Sequence, residues 1–336
     1  MAGISTSEEI ASLRKHYLEP LDLEISTTSW TTLLLSAEGV SNLTRVEISK
    51  IREWGEQYAK KWRVVVCVRH PLAYTRSVIQ QIMKGGDTLQ ELYSDPPIPN
   101  FKGKLTNAID VFGQDNLRIF DFDDASHTGG GITKVFSDMV GLSPDTGQFL
   151  EAHTESTNES LSSSAVHILD SLNRRRPMFL GSSRAPRRAG PRHELHYLER
   201  IPGSTFDLPE AIKEKIRRAT HDDVAWLNES FGLNLYPDLV SAPSSSFDHD
   251  DSVDRQLTHD RATIDSIAEI FGELVTRDVY HNQLNRGRAA LEKGDLPLAE
   301  KCIKEATRLE PDEPEPKALL EKVVGALGLG DEKELE

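Results

Sequence analysis

The sequence predicts an α/β protein with an all-α C-terminal segment, and three observations carry that prediction. The first is the apolar run Val64-Val65-Val66-Cys67-Val68. A continuous β-branched run of this length reads as a strand buried on both faces, the usual state in a parallel sheet. The second is Pro71, which stops the ladder and opens a helix from Leu72 to about Lys84. The third is the helical spacing of Ile264, Ile267, Ile270, Phe271 and Leu274. The chain thereby divides into residues 1–240 with the α/β pattern, a linker over 241–260 and helices over 261–336. The linker is rich in Ser, Asp and His and contains Pro243 and the run Asp248-His249-Asp250-Asp251.

Arg69 sits at the carboxyl end of the predicted strand, beside the start of the helix, and Ser77 falls two turns into that helix. Open α/β sheets bind their ligands at this end. A guanidinium, a hydroxyl and a helix N-terminus around one point make an anion site. The bland reading stays open beside it: Arg69 caps a strand end and Ser77 lies unused on a helix face. His70 reads as structural, and Cys67, within the strand, is expected to pack as a small apolar residue.

The stretch Arg69-His70-Pro71-Leu72-Ala73-Tyr74-Thr75-Arg76-Ser77, with Arg-x-Pro followed by Ser six residues after the Pro, resembles the sulfotransferase family. That resemblance implies that Arg69 and Ser77 hold the 3′-phosphate of PAPS (3′-phosphoadenosine 5′-phosphosulfate) or of its desulfo product PAP. It also implies a three-layer parallel sheet of the P-loop type. Further pieces, in order along the chain, are similar to the bacterial branch. Thr32 to Gly39 looks like its second strand with a Ser-x-Glu turn, and Leu117 to Phe122 like a later strand. Ile132 to Leu142 resembles the helix after it, closed by Gly141. Asn158 to Ser162 resembles a recurrent helix-opening segment, and Leu208 to Leu235 the closing helix. The likeness spans about residues 30 to 240.

The family's Lys-x-Gly-Thr-Thr stretch, which cradles the sulfuryl end of the donor, is not found. His127-Thr128-Gly129-Gly130-Gly131-Ile132-Thr133-Lys134 imitates it with the wrong spacing and reads as a plain loop. Because the likeness begins at the second strand, the first strand, the loop and the first helix are expected upstream of Met1; only Ile10 to Leu23 shows a helical pattern before residue 30. The chain reads either as a truncated sulfotransferase or as a remnant that kept the 3′-phosphate half.

Sulfuryl transfer is an in-line displacement that needs a base for the acceptor hydroxyl. Glu38 is the candidate base, because a strand over Leu33-Leu34-Leu35 would deliver it to the carboxyl edge of the sheet. Carbohydrate sulfotransferases resemble the chain in having a Glu after the second strand, which implies a carbohydrate acceptor. Glu38 could equally cap a helix, orient Ser41 or face solvent. A P-loop kinase is disfavoured, since no Walker-type loop is seen.

A net charge of −15 over 336 residues argues against binding to nucleic acid or anionic membrane. Two cysteines, Cys67 and Cys302, give no disulfide framework or metal spacing. No apolar run approaches a membrane span, so the chain reads as cytosolic. His16, His153, His167, His193 and His196 have no catalytic or metal spacing. Seven arginines between Arg174 and Arg192, with no acid among them, form a basic loop. Its use is an anion, by Arg chemistry, or only a solvated surface. Asn282 to Pro311 resembles one tetratricopeptide repeat, with Gly287, Ala290, Ala299, Ala306 and Pro311 at small-residue and Pro positions and Gly294-Asp295 as the turn. A helix from Pro316 to about Leu327 is expected to cap the pair. Solenoids need at least three repeats, so a lone hairpin reads as a packing or dimerisation element rather than a peptide-binding groove. The alternative function is therefore a non-catalytic module that associates through residues 261–336.

Overall fold

The computed structural model describes residues 6–154, 160–175, 191–240 and 252–327. In chain order the elements are α1 (Ser7–Thr27), α2 (Arg45–Gly55), β1 (Val64–Val68), α3 (Pro71–Met83), α4 (Leu89–Ser94), α5 (Phe101–Phe112), β2 (Leu117–Asp121), α6 (Phe122–His127), α7 (Gly131–Val140) and α8 (Pro144–His153). There follow α9 (Ser163–Arg175), α10 (Pro191–Leu198), α11 (Glu210–Phe231), α12 (Pro237–Val240), α13 (Ser252–Glu292), α14 (Leu296–Leu309) and α15 (Pro314–Ala326). The chain divides into two compact units: residues 1–70, 100–154 and 221–240 form one, and 71–99, 155–220 and 241–336 the other.

In the first unit β1 and β2 pair in parallel, Val64 opposite Leu117 through Val68 opposite Asp121. Val68, Leu117, Phe101, Leu105, Val224 and Leu227 are buried together there, with Val64 and Val66 packed against them. Alternation therefore turns Val64, Val66 and Val68 to the core and leaves Cys67 exposed. This corrects the expectation of a strand covered on both faces. Although Cys67 is exposed as a residue, the protein atoms around its sulfur desolvate it and, with the Asp121 carboxylate, push the thiol up to about 11. A thiol so placed is protonated at neutral pH and unreactive.

Among the described residues the sheet has these two strands alone, so the expected three-layer parallel sheet is not seen. The expected strand over Thr32 to Gly39 does not form either. Residues 32–37 pair with nothing, and Leu34 and Leu35 are 49% and 43% exposed. β-Propensity is the fit of side chains to a pleated, half-buried surface. The valines of β1 have that surface against β2, and the unbranched-Cβ leucines of 33–35 have no neighbour that supplies one.

Local chemistry explains the helix ends. Thr44 and Glu47 form a reciprocal capping box on α2, as Thr88 and Glu91 do on α4. The first two N–H groups of α5 donate to Asp223 on α11, at 2.7 and 2.8 Å. Gly141, left-handed at φ 76°, ends α7 as expected from the sequence.

In the second unit Ile79, Met83, Leu161, Leu169, Leu172, Phe206, Ile216 and Ala268 are buried together, which draws α3, α9, α11 and α13 into one core. α14 turns back along α13: Ala290 is buried with Ala299, Gly287 lies against Ile303, and Tyr280 and Leu284 are buried with Ala306 and Leu309. These pairs rise along one helix as they fall along the other, which is an antiparallel hairpin. Its turn is made by Gly294, at φ 77°, and by Asp295, whose carboxylate accepts from the Leu298 N–H. Leu319 and Val323 of α15 pack against the pair.

Candidate functional site

The carboxyl ends of β1 and β2 lie side by side in the first unit, so the residues that follow them meet. Arg69 leaves β1 and lays its guanidinium over the Phe122 ring, Cζ 4.5 Å from the centroid. Its Nε stands 3.6 Å from Asp123 Oδ1, close enough for charge pairing and too far for a hydrogen bond. That Nε is buried and has no hydrogen-bond partner.

The rest of this end is built around Asp121. One carboxylate oxygen accepts from the Asp124 N–H at 2.8 Å, which caps α6, and the other accepts from the Tyr236 hydroxyl. Burial and the Asp121 carboxylate push the Tyr236 hydroxyl far up, so it remains a donor at any physiological pH. Tyr236 has φ 53°, a left-handed conformation uncommon outside glycine, and its ring meets His70 edge-on at 5.0 Å. His70 Nε2 lies 3.2 Å from Asp238 Oδ2. Asp123 thus lies beside the guanidinium and Asp238 beside the imidazole, while Asp121 holds the Tyr236 hydroxyl. Asp121 is spent on structure. Asp123 is the carboxylate that an anion at Arg69 would have to oppose.

Sequence reasoning found Arg69 and missed Asp121, Tyr236 and Asp238. Asp121 carried a signal, an acid at a strand end three residues before the N–H it caps. Tyr236 carried none, since its partner is 115 residues away.

Arg69 belongs to the first unit and Ser77 to the second. α3 buries Pro71, Thr75, Ile79, Gln80 and Met83, a stripe at helical spacing. Gln80 Oε1 accepts from the Leu161 N–H at 2.8 Å, and the Thr75 hydroxyl donates to the Pro97 carbonyl at 2.8 Å. Ser77 lies off this stripe and is exposed. Glu38 opens a single 3₁₀ turn over Glu38–Asn42. The strand that would have carried it to a sheet edge is absent, so its candidacy as a base rests on resemblance alone.

The Gly-rich imitation loop folds as a turn. Gly130 and Gly131 take φ 88° and 64°, and Lys134 is directed along α7 to Asp138 at 2.8 Å. Of the basic loop, residues 176–190 lie outside the described residues, as do residues 241–251 of the linker and 158–159 of the helix-opening segment. Arg174 and Arg175 are spent within the protein. Arg174 reaches Asp170 and Asp265, both at 3.0 Å, and Arg175 reaches Asp265 at 3.2 Å and Glu269 at 3.1 Å. The acids absent from the loop sequence come from α9 and α13.

Comparison of the chain with family models, with curated proteins and with solved structures found no match. Among the described residues no helix is long and apolar enough to cross a membrane, and no cluster of three or more His, Cys, Asp or Glu could hold a metal ion.

Proposed function

We propose that this chain is a sulfotransferase-like protein whose Arg69 and Ser77 hold the 3′-phosphate of PAPS or PAP. The acceptor is a hydroxyl, by resemblance that of a carbohydrate, and Glu38 is the candidate base. The finer fold that goes with this reading is a member of the three-layer P-loop type. One observation carries the reading: the guanidinium of Arg69, at the carboxyl end of a parallel strand pair, keeps a buried Nε with no hydrogen-bond partner, Asp123 standing off at 3.6 Å. Buried donors are almost always paired within a fold, and one left unpaired beside a ligand-binding strand end points to a role outside structure. The stack on Phe122 holds the charge in place before any anion arrives.

The test is calorimetric titration of PAP into the chain and into Arg69→Ala. Loss of a charge-assisted hydrogen bond should weaken PAP by about 1.5–3 kcal/mol. Equal affinity in the variant, or no uptake by the folded chain, would remove the assignment.

A second reading, a non-catalytic association module, is favoured by a different observation. Ile267, Ile270 and Leu274 are 47%, 59% and 63% exposed on α13. Their spacing of three then four residues makes one apolar stripe, the seam pattern of paired helices.

A further inference from the structure

In the second unit, α10 and α13 line a solvent-open cavity of about 390 Å³, in which His193, His196, Asp278, Asn282 and Arg286 are exposed. Asp278, Asn282 and Arg286 follow one another along α13 at steps of four, so they share one side of the helix. His193, His196 and Tyr197 line it from α10. Three of these groups are already committed to one another. The Tyr197 hydroxyl donates to Asp278 Oδ2 at 3.0 Å, and the Asn282 amide donates to the same oxygen at 3.2 Å. The carboxylate is thereby held through Oδ2, and its Oδ1 accepts no hydrogen bond among the described residues. Arg286, by contrast, enters no ion pair or hydrogen bond among the described residues. Val279 and Gln283 add an apolar patch and an amide to the wall.

We propose that this cavity binds a small hydroxylated organic anion. Its acid group, carboxylate or phosphate, meets the guanidinium of Arg286, and one of its hydroxyls donates to Asp278 Oδ1. The charge sign follows from the inventory. The one carboxylate already accepts two hydrogen bonds, whereas the guanidinium brings five uncommitted donors in a fork that matches an oxyanion. The hydroxyls follow from the remaining wall. Gln283 and the imidazoles of His193 and His196 both donate and accept, and a hydroxyl is the ligand group that can answer either way. The volume is near the small end of ligand cavities, which run from about 300 to about 1,000 Å³. This site lies wholly within the second unit and does not depend on the nucleotide reading.

The test is calorimetric titration of glucuronate, glucose 6-phosphate, inorganic phosphate and glucose into the full chain, Arg286→Ala, Arg286→Lys and Asp278→Asn. The expected result is saturable binding of one or both sugar acids, weaker binding of inorganic phosphate and none of glucose. Whichever of glucuronate and glucose 6-phosphate binds more tightly identifies the acid group as carboxylate or phosphate. Arg286→Ala should weaken the sugar acid at least tenfold, the loss of one charge-assisted bond. Arg286→Lys, which keeps the charge and loses the fork, should fall between. Asp278→Asn should weaken the sugar acid more than inorganic phosphate. Three results overturn the proposal: no saturable uptake of either sugar acid at millimolar concentration, glucose bound as tightly as glucuronate, or binding indifferent to both Arg286 variants. PAP titrated alongside keeps the two sites separate, since its affinity should not respond to Arg286.

Discussion

Asp265→Ala should destabilise the second unit by more than any surface ion pair could. The Asp265 carboxylate accepts from the Ser171 hydroxyl at 2.7 Å, from Arg174 at 3.0 Å and from Arg175 at 3.2 Å. Its side chain is 14% exposed and that of Arg174 is 24%, so the cluster is largely out of water. Removing one partner of a fully buried pair costs about 3–5 kcal/mol, because the other charge is stranded. Here Arg174 keeps Asp170 and Arg175 keeps Glu269. The expected cost therefore falls to about 2–3 kcal/mol, between the stranded-charge case and an exposed pair. Asp265→Asn, which still accepts from Ser171, should cost about half as much. The assay is urea unfolding followed by far-ultraviolet circular dichroism. Tryptophan fluorescence is the less direct probe, since Trp30, Trp54, Trp62 and Trp226 all lie in the first unit. At a slope of about 2–3 kcal/mol/M the midpoint should drop by about 1 M.

The same cluster has a pH signature of definite sign. Burial works against the Asp265 carboxylate, but the hydrogen bonds from Ser171, Arg174 and Arg175 outweigh it and hold its pKa below the ordinary aspartate value. A lowered folded-state pKa contributes stability that is complete above the unfolded value of about 3.9 and is lost as the pH falls through the folded value. The penalty of Asp265→Ala should therefore be full at neutral pH and shrink below about pH 4. A shift smaller than about 0.5 kcal/mol at neutral pH, the worth of an exposed pair, would refute the reasoning. So would a penalty that grows on acidification.

Two further outcomes follow from packing on α13. A Cβ at Gly287 would stand 2.6 Å from Ile303 Cγ1, so Gly287→Ala should cost about 1–2 kcal/mol in urea unfolding, overpacking exceeding the gain in helix propensity. A more stable Gly287→Ala would mean that the two helices do not approach this closely. If the exposed stripe mediates self-association, light scattering should show an oligomer that Ile270→Lys with Leu274→Lys converts to monomer without loss of helix content. A wild-type monomer at tens of micromolar would count against the association reading.

The elements legible in the sequence are those whose signals are local. The valine run with Pro71 three residues beyond its end marks both β1 and α3, and Gly141 marks the end of α7 at its left-handed turn. The α13–α14 hairpin was legible because small residues at Gly287, Ala290, Ala299 and Ala306 recur where two helices must touch. The failures share one cause, a partner remote in sequence. Residues 32–37 have the apolar content of a strand, but a strand exists only if another backbone accepts its ladder. The core face of β1 was likewise decided by what covers each side, which no pentapeptide of valines records.

Arginine shows how partner inventory, rather than composition, separates candidate sites from structure. Arg174 and Arg175, the first of the seven, are consumed by Asp170, Asp265 and Glu269, and their density in sequence says nothing about ligands. Arg69 is partly committed: it has a ring beneath it and a carboxylate at 3.6 Å, yet a buried N–H remains unanswered. Arg286, which stands in no motif, is uncommitted and lines a cavity whose one carboxylate is already bonded. A guanidinium N–H that is desolvated without a hydrogen-bond partner, as at Arg69 Nε, loses hydration it cannot recover inside the protein, whereas Arg286 is exposed. The four arginines can be ordered by their unspent donors. On that scale Arg69 and Arg286 stand apart from Arg174 and Arg175, and each is reached by a different titrant.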